Sequence, residues 1–260
     1  MPSLPFSTID QLLVFLLVLG RVSGILAATP MFGGKLVPNR IKAALAFALA
    51  LVLFPALIPK LGNLPTDLIS FGLLMVKEAL IGISLGLLSQ LIFAAVEFSG
   101  FIVSTQMGLS IALQFDPTLG MQVSSLAVFQ NLLAMLLFLS LGAHHIFFAA
   151  IIESYQLLPV GQWQMSVELL TFFTKTVSGI FVLGMKLAAP VMASLLAVTV
   201  MLGIMARVFP QMNVFMVSMP LNIGLGFLFL GLSLMAFVST LEKAFGQIPG
   251  QIRILLKLLA

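Results

Sequence analysis

The sequence predicts an all-α integral membrane protein, and three observations support this fold class. The 260 residues are 61% hydrophobic and only 8% charged, whereas a soluble domain carries roughly 25% charged residues. Several apolar runs approach or reach the roughly 20 residues that cross a hydrocarbon core. The runs are continuous, whereas the strands of an outer-membrane barrel alternate apolar and polar residues. These runs are 43–59, 79–96, 98–115, 187–206 and 208–241.

Four helices are predicted in the first part of the chain, at about 10–28, 40–57, 67–104 and 125–153. Thr8 or Asp10 can cap the first helix, because short polar side chains accept hydrogen bonds from the free amides of a first turn. Pro55 and Pro59 are expected to end the second helix, since proline lacks an amide proton and clashes with the preceding turn. The third helix is too long for one untilted crossing.

The C-terminal part is predicted to form a helical hairpin with two long arms, 169–206 and 214–241. Each arm contains a proline, Pro190 in the first and Pro220 in the second. A proline inside a helix removes one hydrogen bond and kinks the backbone. Both arms are therefore expected to be bent.

Two further segments bear on how the chain is organised. The polar loop 160–168 is the best boundary between two parts, and residues 242–260 form a partly amphipathic tail. If the chain crosses the membrane six times, Lys and Arg divide four against five between the two sides. The positive-inside rule then gives no orientation, which we interpret as a sign of packing against partner subunits.

Two GxxxG motifs, at 20–24 and 82–86, predict close contacts between helices. Small residues spaced in this way let two helix backbones approach each other. We expect these glycines to pack against helices of partner subunits. We expect the same of Arg207 in the turn of the C-terminal hairpin. The residues assigned to such packing are Gly20, Arg21, Gly24, Gly82, Gly86 and Arg207.

Ionisable residues within or beside the apolar segments are the candidates for chemistry. Such groups at membrane depth are functional candidates by default. They could form a relay in a transporter, or they could pair with one another or with partner chains. We favour pairing, because no two carboxylates lie together at the centre of a span. The residues are Lys77, Glu78, Glu97, Lys186 and Arg207.

Composition and motifs argue against several other functions. The net charge of +4 is scattered, so nucleic acid is not an expected partner, and the chain has no cysteine. His144 and His145 lie near Glu153, but adjacent helical residues point about 100° apart and a zincin-like helix needs histidines four apart. We therefore expect no metal site. We also find no catalytic triad, phosphate-binding loop or nucleotide motif, so we expect no cofactor and no enzymatic activity.

The central stretch 100–129 begins as a hydrophobic helix and then becomes rich in Gly, Ser, Thr, Gln and Met. Asp116 and Pro117 form a helix-breaking step within it. Irregular backbone at membrane depth is tolerated only where protein buries it or where it lines a watery cavity. We therefore expect this stretch to lie inside an assembly, at or near a conduit. Met107 and Met121, being flexible, could form a compliant seal there.

Short motifs occur in a defined order along nearly the whole chain, and together they resemble the FliR family of flagellar export-gate proteins. That family is related to an inner-membrane component of injectisome type III secretion. The motifs are R-x-x-G-x(5)-P-x-F-G at 21–33 with Val37 and Pro38, E-x(3)-G-x(3)-G at 78–86, QMG at 106–108 with Asp116 and Pro117, GAHHIFFAAIIESYQLLP at 142–159, and AAP with ARVFPQMNVF within 188–215.

The resemblance implies a fold and a set of partners. Residues 1–160 would resemble FliP, and residues 161–260 would resemble the helical hairpin of FliQ. The chain would join FliP and FliQ in a hetero-oligomeric helical assembly around an export pore, inside the flagellar basal body of the bacterial inner membrane. FlhB would bind around the closed gate, and FlhA would be a further partner. The cargo would be unfolded flagellar proteins.

The resemblance also implies that the central stretch projects into the pore as a plug, at about 106–122. Its residues would fill the closed channel, with Phe115 as the bulkiest apolar side chain. The predicted plug residues are Gln106, Met107, Gly108, Leu109, Leu113, Phe115, Asp116, Pro117, Gly120 and Met121.

Two other functions are consistent with an apolar helical chain. A secondary transporter of a small solute would use kinked helices and a site at the bilayer midplane. The absence of a convincing repeat between residues 1–130 and 131–260 argues against it. The third function is an assembly protein with no part in the conduit, which ion-leak measurements on plug variants would distinguish.

Overall fold

A computed structural model describes residues 9–33, 37–57, 67–109, 124–161, 163, 166–211 and 213–260. All the regular elements within these ranges are helices, which confirms the all-α prediction. In a lipid environment a helix satisfies its own backbone amides and carbonyls, which suits the long apolar runs. The helices are α1 (Ile9–Ala28), α2 (Pro30–Gly33), α3 (Asn39–Leu57), α4 (Leu68–Gln106), α5 (Ser125–Ser140), α6 (Ala143–Leu157), α7 (Val167–Val208), α8 (Val214–Gly246) and α9 (Ile248–Leu259).

Four of these helical stretches are long and apolar enough to cross a membrane. They are α1, α4, α7, and α8 together with α9. The number rises to five if α5 and α6 are counted together as one broken span. The six crossings that we supposed in applying the charge rule are therefore not found in the described ranges.

Several predicted helix boundaries differ from the structure. The second predicted helix is an exception, because α3 ends at Leu57 as expected, with Pro55 inside its last turn. Asp10 lies within α1, whose first described residue is Ile9. Thr8 and Pro59 fall outside the described residues. The predicted arms of the hairpin correspond to α7 and α8, with Pro190 and Pro220 inside them.

The predicted helix 125–153 is interrupted, and the reason is a glycine. Gly142 has φ +64°, a left-handed conformation that glycine adopts without steric cost. The chain ends α5 at Ser140 and starts α6 at Ala143. Because the segments on both sides of Gly142 are rich in apolar residues, hydropathy alone does not reveal this break.

Packing contacts group the chain into two compact units. The first comprises Met1–Leu91, Gly142–Thr176 and Gly246–Ala260, and the second comprises Ile92–Leu141 and Val177–Phe245. The parts 1–160 and 161–260 are defined by resemblance to partner proteins rather than by packing, and they stay a prediction.

In the first unit, α1 packs against α3 and α4. The ring of Phe15 meets Phe47 and Phe54 edge-on, with centroids 5.2 and 6.1 Å apart. On the α4 side the glycines of the two GxxxG motifs lie against each other. A β-carbon at residue 24 would lie 2.5 Å from the carbonyl oxygen of Ala79 and 3.2 Å from the Cα of Gly82. The backbones of α1 and α4 are therefore in direct contact.

The tail 242–260 contains a well-formed amphipathic helix, α9, which packs against α6. Its apolar face is buried, while Arg253 at its edge donates from Nε to the Glu153 carboxylate at 2.8 Å. The buried residues of α9 are Ile248, Ile252, Leu255, Leu256 and Leu259.

In the second unit, an apolar core joins α4, α5, α7 and α8. Its buried members are Val103, Met107, Leu126, Ala188, Val191 and Leu195. The rings of Phe93, Phe138 and Phe245 form a second cluster, with centroids 5.4 to 5.8 Å apart. Long stretches of α7 and α8 nevertheless leave large apolar side chains exposed, as at Leu232 and Met235.

We predict that Gly82→Ala separates α1 from α4. A β-carbon at residue 82 would overlap the carbonyl oxygen of Arg21 and lie 3.0 Å from the amide nitrogen of Ile25. Both obstacles are backbone atoms, so the helices must shift, at a cost of about 1–3 kcal/mol. Thermal denaturation of the detergent-solubilised protein should show a lower melting temperature.

The matched control is Gly72→Ala in the same helix. Apart from the adjoining residues and the backbone of the same helix turns, no described atom lies within 4 Å of a β-carbon added there. Alanine also has a helix propensity about 1 kcal/mol better than glycine, so this variant should be unchanged or more stable. Equal melting temperatures for the two variants would show that the α1–α4 contact is not tight.

A buried ion pair and the stem of the central loop

Arg21 in α1 and Glu78 in α4 form a fully buried ion pair. Both side chains have 0% of their surface exposed, and Arg21 Nε donates to Glu78 Oε2 at 2.6 Å. Taking a charge out of water is costly unless an opposite charge and further hydrogen bonds compensate it. The glycine contact between α1 and α4 brings these two side chains within reach of each other.

The rest of the Arg21 guanidinium contacts the end of α6. Its Nη1 donates to Ser154 Oγ at 3.2 Å and to the Leu158 carbonyl at 3.0 Å. Its Cζ lies 4.1 Å from the centre of the Tyr155 ring, in a cation–π arrangement. The Nη2 group is buried and has no hydrogen-bond partner among the described residues.

Glu78 reaches the loop that follows α6. Its Oε1 accepts the amide hydrogen of Gly161 at 3.2 Å. Gly161 has φ +84°, a conformation that side chains other than glycine rarely adopt. One ion pair therefore fixes the relative positions of α1, α4, the end of α6 and the first residues of the following loop. We call these residues (Arg21, Glu78, Ser154, Tyr155, Leu158 and Gly161) the ion-pair centre.

The other ionisable candidates lie elsewhere and differ in environment. Lys77 is half-buried, whereas Glu97, Lys186 and Arg207 are exposed. None of these four residues forms an ion pair with another described residue. The structure thus brings one of the five candidates, Glu78, into a buried pair.

The packing glycines lie against helices of this same chain. A β-carbon at Gly86 would come within 2.6 Å of the Ala28 side chain, whereas one at Gly20 would make ordinary contact with Met75 at 3.7 Å. The close approach at these motifs is thus made inside one chain, and the expected packing of these residues against partner helices stays a prediction.

A glycine-based cap ends α4 and begins the central loop. Gly108 has φ +80°, its amide donates to the Thr105 carbonyl at 3.1 Å, and the Leu109 amide donates to the Ser104 carbonyl at 3.1 Å. These two bonds form a Schellman motif, which satisfies carbonyls that a helix end leaves free. The two bonds therefore hold the backbone of Gly108 and Leu109 against the last turn of α4.

Met107 lies inside the core of the second unit, with 0% of its surface exposed. It packs against Gly226 of α8, where an added β-carbon would meet Met107 Cγ at 2.5 Å, Cε at 2.7 Å and Sδ at 2.8 Å. Leu109 is half-buried against the same core. We call residues 103–109 and 124–127 the stem of the central loop.

The second side of the stem is also tightly packed. Ser124 caps α5, its Oγ accepting the Ala127 amide at 3.4 Å. A β-carbon at Gly100 of α4 would overlap the Cα of Ala127, so the start of α5 lies directly on α4. Both ends of the central loop are thus held by glycine-mediated contacts.

The predicted plug residues divide between the stem and the undescribed segment. Gln106 is the last residue of α4, and Met107, Gly108 and Leu109 belong to the stem. The others fall outside the described residues, and their assignment stays a prediction. They are Leu113, Phe115, Asp116, Pro117, Gly120 and Met121.

Among the described residues, His144 and His145 have no third ligand that could complete a metal site with them. The rings of His144 and His145 lie 4.1 Å apart, and Glu153 pairs with Arg253. In the ranges that the structure describes, no group of three or more His, Cys, Asp or Glu residues could hold a metal ion.

Sequence reasoning did not identify Arg21 as the partner of Glu78, and it did not identify Tyr155, Gly161 or Gly226. One signal was available: two opposite charges, each beside a GxxxG motif in an apolar run, need each other in a membrane. Nothing comparable marks Gly226.

The helices and their internal ion pair define a multi-helix integral membrane protein. Sequence comparison then identifies its family. A family model described as bacterial export proteins, family 1, matches residues 12–248. The chain belongs to this family, that of the FliR flagellar biosynthetic proteins, which confirms the resemblance.

Three relatives illustrate the similarity, each named flagellar biosynthetic protein FliR. The Bacillus subtilis protein is 38% identical over 227 residues, covering 86% of this chain and 87% of the relative. The Escherichia coli protein is 33% identical over 225 residues, covering 86% and 84%. The Pectobacterium carotovorum protein is 32% identical over 228 residues, covering 88% and 87%.

We predict that Arg21→Ala destabilises the protein by about 3–5 kcal/mol, since it leaves the Glu78 charge buried and unpaired. The control is Arg253→Ala, because the Arg253–Glu153 pair is partly exposed and such pairs contribute about 0–1 kcal/mol. Melting temperatures in detergent provide the comparison.

A third variant separates the charge from the packing. Replacing both partners by apolar residues, as in Arg21→Met with Glu78→Leu, should cost less than Arg21→Ala, because no lone charge remains buried. If Arg21→Ala and Arg253→Ala lower the melting temperature equally, the buried pair has no special role.

Proposed function

We propose that this chain is a non-enzymatic subunit of the flagellar type III protein-export gate in the bacterial inner membrane. It would form part of the pore that passes unfolded flagellar proteins. The observation that carries the proposal is the family match over residues 12–248. Helices long and apolar enough to cross a membrane support the location.

The proposed partners are FliP, FliQ, FlhB and FlhA. Residues 1–160 would take the place of a FliP-like subunit, and residues 161–260 that of a FliQ-like hairpin. The exposed apolar side chains of α7 and α8, such as Met201, Met216 and Met235, are consistent with surfaces that lipid or neighbouring helices cover. The energy for export would come from a proton-driven partner and an ATPase.

The central loop would plug the closed pore. An export pore must hold back ions when empty and still admit a polypeptide. Apolar constrictions exclude ions because the pore dewets, and the loop contains large apolar residues, among them Leu113, Phe115 and Met121. The capped and packed stem on both sides supports this proposal, since it would hold the loop in a defined place.

We predict that deleting residues 111–119, or replacing Phe115 with Asp, makes the assembled gate leaky. Either change removes apolar volume or brings a charge into the constriction, so the closed pore should become wet. The variants are expressed with all partners, and small-solute uptake and growth at high salt are recorded. A stalled export substrate should reduce the leak.

Phe115→Leu is the matched control, because it keeps an apolar side chain and should stay tight. Co-purification of the partners establishes that each variant assembles. Assembled deletion complexes as tight as the parent would mean that the loop is a packed connector and not a plug.

We further predict that Arg207 binds a neighbouring subunit. It is exposed at the end of α7 and makes no hydrogen bond or ion pair with the described residues. A guanidinium offers five donors in a fixed geometry, which suits a carboxylate or a helix C-terminus. Arg207→Ala should reduce the yield of assembled complex more than it changes any ion leak.

Gln211→Ala is a control in the same turn, since Gln211 is exposed but uncharged. It should assemble like the parent. A normal yield of complex from Arg207→Ala, measured by co-purification under mild detergent, would remove this residue from the interface.

A further inference from the structure

The start of the central loop packs against a glycine of α8. Met107 immediately precedes the glycine that ends α4, and it is completely enclosed. The space that it fills exists because residue 226 of α8 is a glycine. Three side-chain atoms of Met107 lie within 2.8 Å of where a β-carbon of residue 226 would be.

Gly226 differs in this respect from the other glycines of α8. At Gly224 and Gly231 an added β-carbon would have no described atom within 4 Å apart from the adjoining residues and the backbone of the same helix turns. Those two positions are exposed, whereas Gly226 is buried. The close contact is therefore a property of one position and not of a glycine-rich helix in general.

The contact between Met107 and Gly226 adjoins the helix cap at the end of α4. Met107 connects directly to Gly108, whose left-handed backbone directs the chain away from α4. Leu109 follows and packs on the same core. A side chain at residue 226 would occupy the space of Met107, and because Met107 has no exposed surface, we expect part of the resulting strain to reach the adjoining cap at Gly108 and Leu109.

We propose that Gly226 is a positioning residue for the gate: it provides the recess that holds Met107 and so fixes where the central loop leaves α4. This inference rests on the proposed plug function for its consequence, but not for the contact itself. A side chain at 226 would displace the stem, and a plug that starts from a displaced stem would close the pore poorly.

The first readout is the exposure of the stem, and the chain is well suited to it because it contains no cysteine. Both labelling positions lie in the stem. Leu109→Cys introduces a half-buried thiol, and Gln106→Cys introduces an exposed thiol at the last residue of α4. The rate of labelling by a hydrophilic maleimide is measured in the complex assembled with all partners. Gly226→Leu should speed the labelling at position 109 and leave the rate at position 106 unchanged.

The expected size follows from the cost of overpacking a core. Such a cost corresponds to about a 5- to 150-fold rise in the population of the displaced stem. Gly224→Leu and Gly231→Leu are matched controls in α8 and should leave the labelling rate unchanged. Met107→Ala combined with Gly226→Leu exchanges the large and small residues and should restore slow labelling.

The second readout is the ion leak of the same complexes. The Gly226→Leu complex should leak more ions than the Gly224→Leu complex. Adding Met107→Ala to Gly226→Leu should reduce that leak. If labelling at position 109 is the same in Gly226→Leu and Gly224→Leu, the inference is overturned, whatever the leak. If labelling rises but neither Gly226→Leu nor the 111–119 deletion leaks, the positioning contact stands and the plug function fails.

Gly226→Ala covers the case in which leucine prevents assembly. Its single carbon still meets Met107 Cγ at 2.5 Å, so it should produce the same labelling change to a smaller extent. If Gly226→Leu fails to assemble, recovery of assembly by Met107→Ala supports the contact, and failure of the exchanged pair to assemble overturns it.

Discussion

A buried charge pair needs both partners at one place, and this requirement determines much of the first unit. Arg21 and Glu78 are enclosed by apolar helices, with 2.6 Å between Nε and Oε2. Either charge alone would be strongly destabilising at this depth. The pair therefore specifies which faces of α1 and α4 meet, and the contacts with Ser154, Leu158 and Gly161 extend that requirement to the end of α6.

Glycine makes the pair possible. A side chain at Gly24 or Gly82 would hold the two backbones apart, and the guanidinium would then lose its carboxylate. Small residues permit close packing in many membrane proteins, where dispersion contacts and interhelical hydrogen bonds replace the hydrophobic effect as the driving force. Here the same device recurs in the second unit, where Gly100 admits the start of α5 and Gly226 admits Met107. The absence of a side chain thus permits close contact in both units, between two helix backbones in the first and beside the ends of the central loop in the second.

The described residues on both sides of the central loop are held by helix caps and tight packing. Its stem is capped by a Schellman motif on one side and by Ser124 on the other. For the plug function proposed above, fixed attachment points would let the loop return to its place after an exported chain displaces it. The exposed apolar faces of α7 and α8 suit a subunit whose helices are covered by lipid and by neighbouring subunits.

The sequence by itself determined the fold class, most helix positions and the family, because hydropathy, helix-breaking residues and motif order are local properties of the chain. It failed at Gly142, where one left-handed residue breaks a helix that hydropathy predicts to be continuous. Only the tertiary structure decided that Arg21 pairs with Glu78, 57 positions away, and that Met107 fills the space beside Gly226. These contacts depend on which helix faces meet, and that choice is made by the packing of the whole chain rather than by any local pattern.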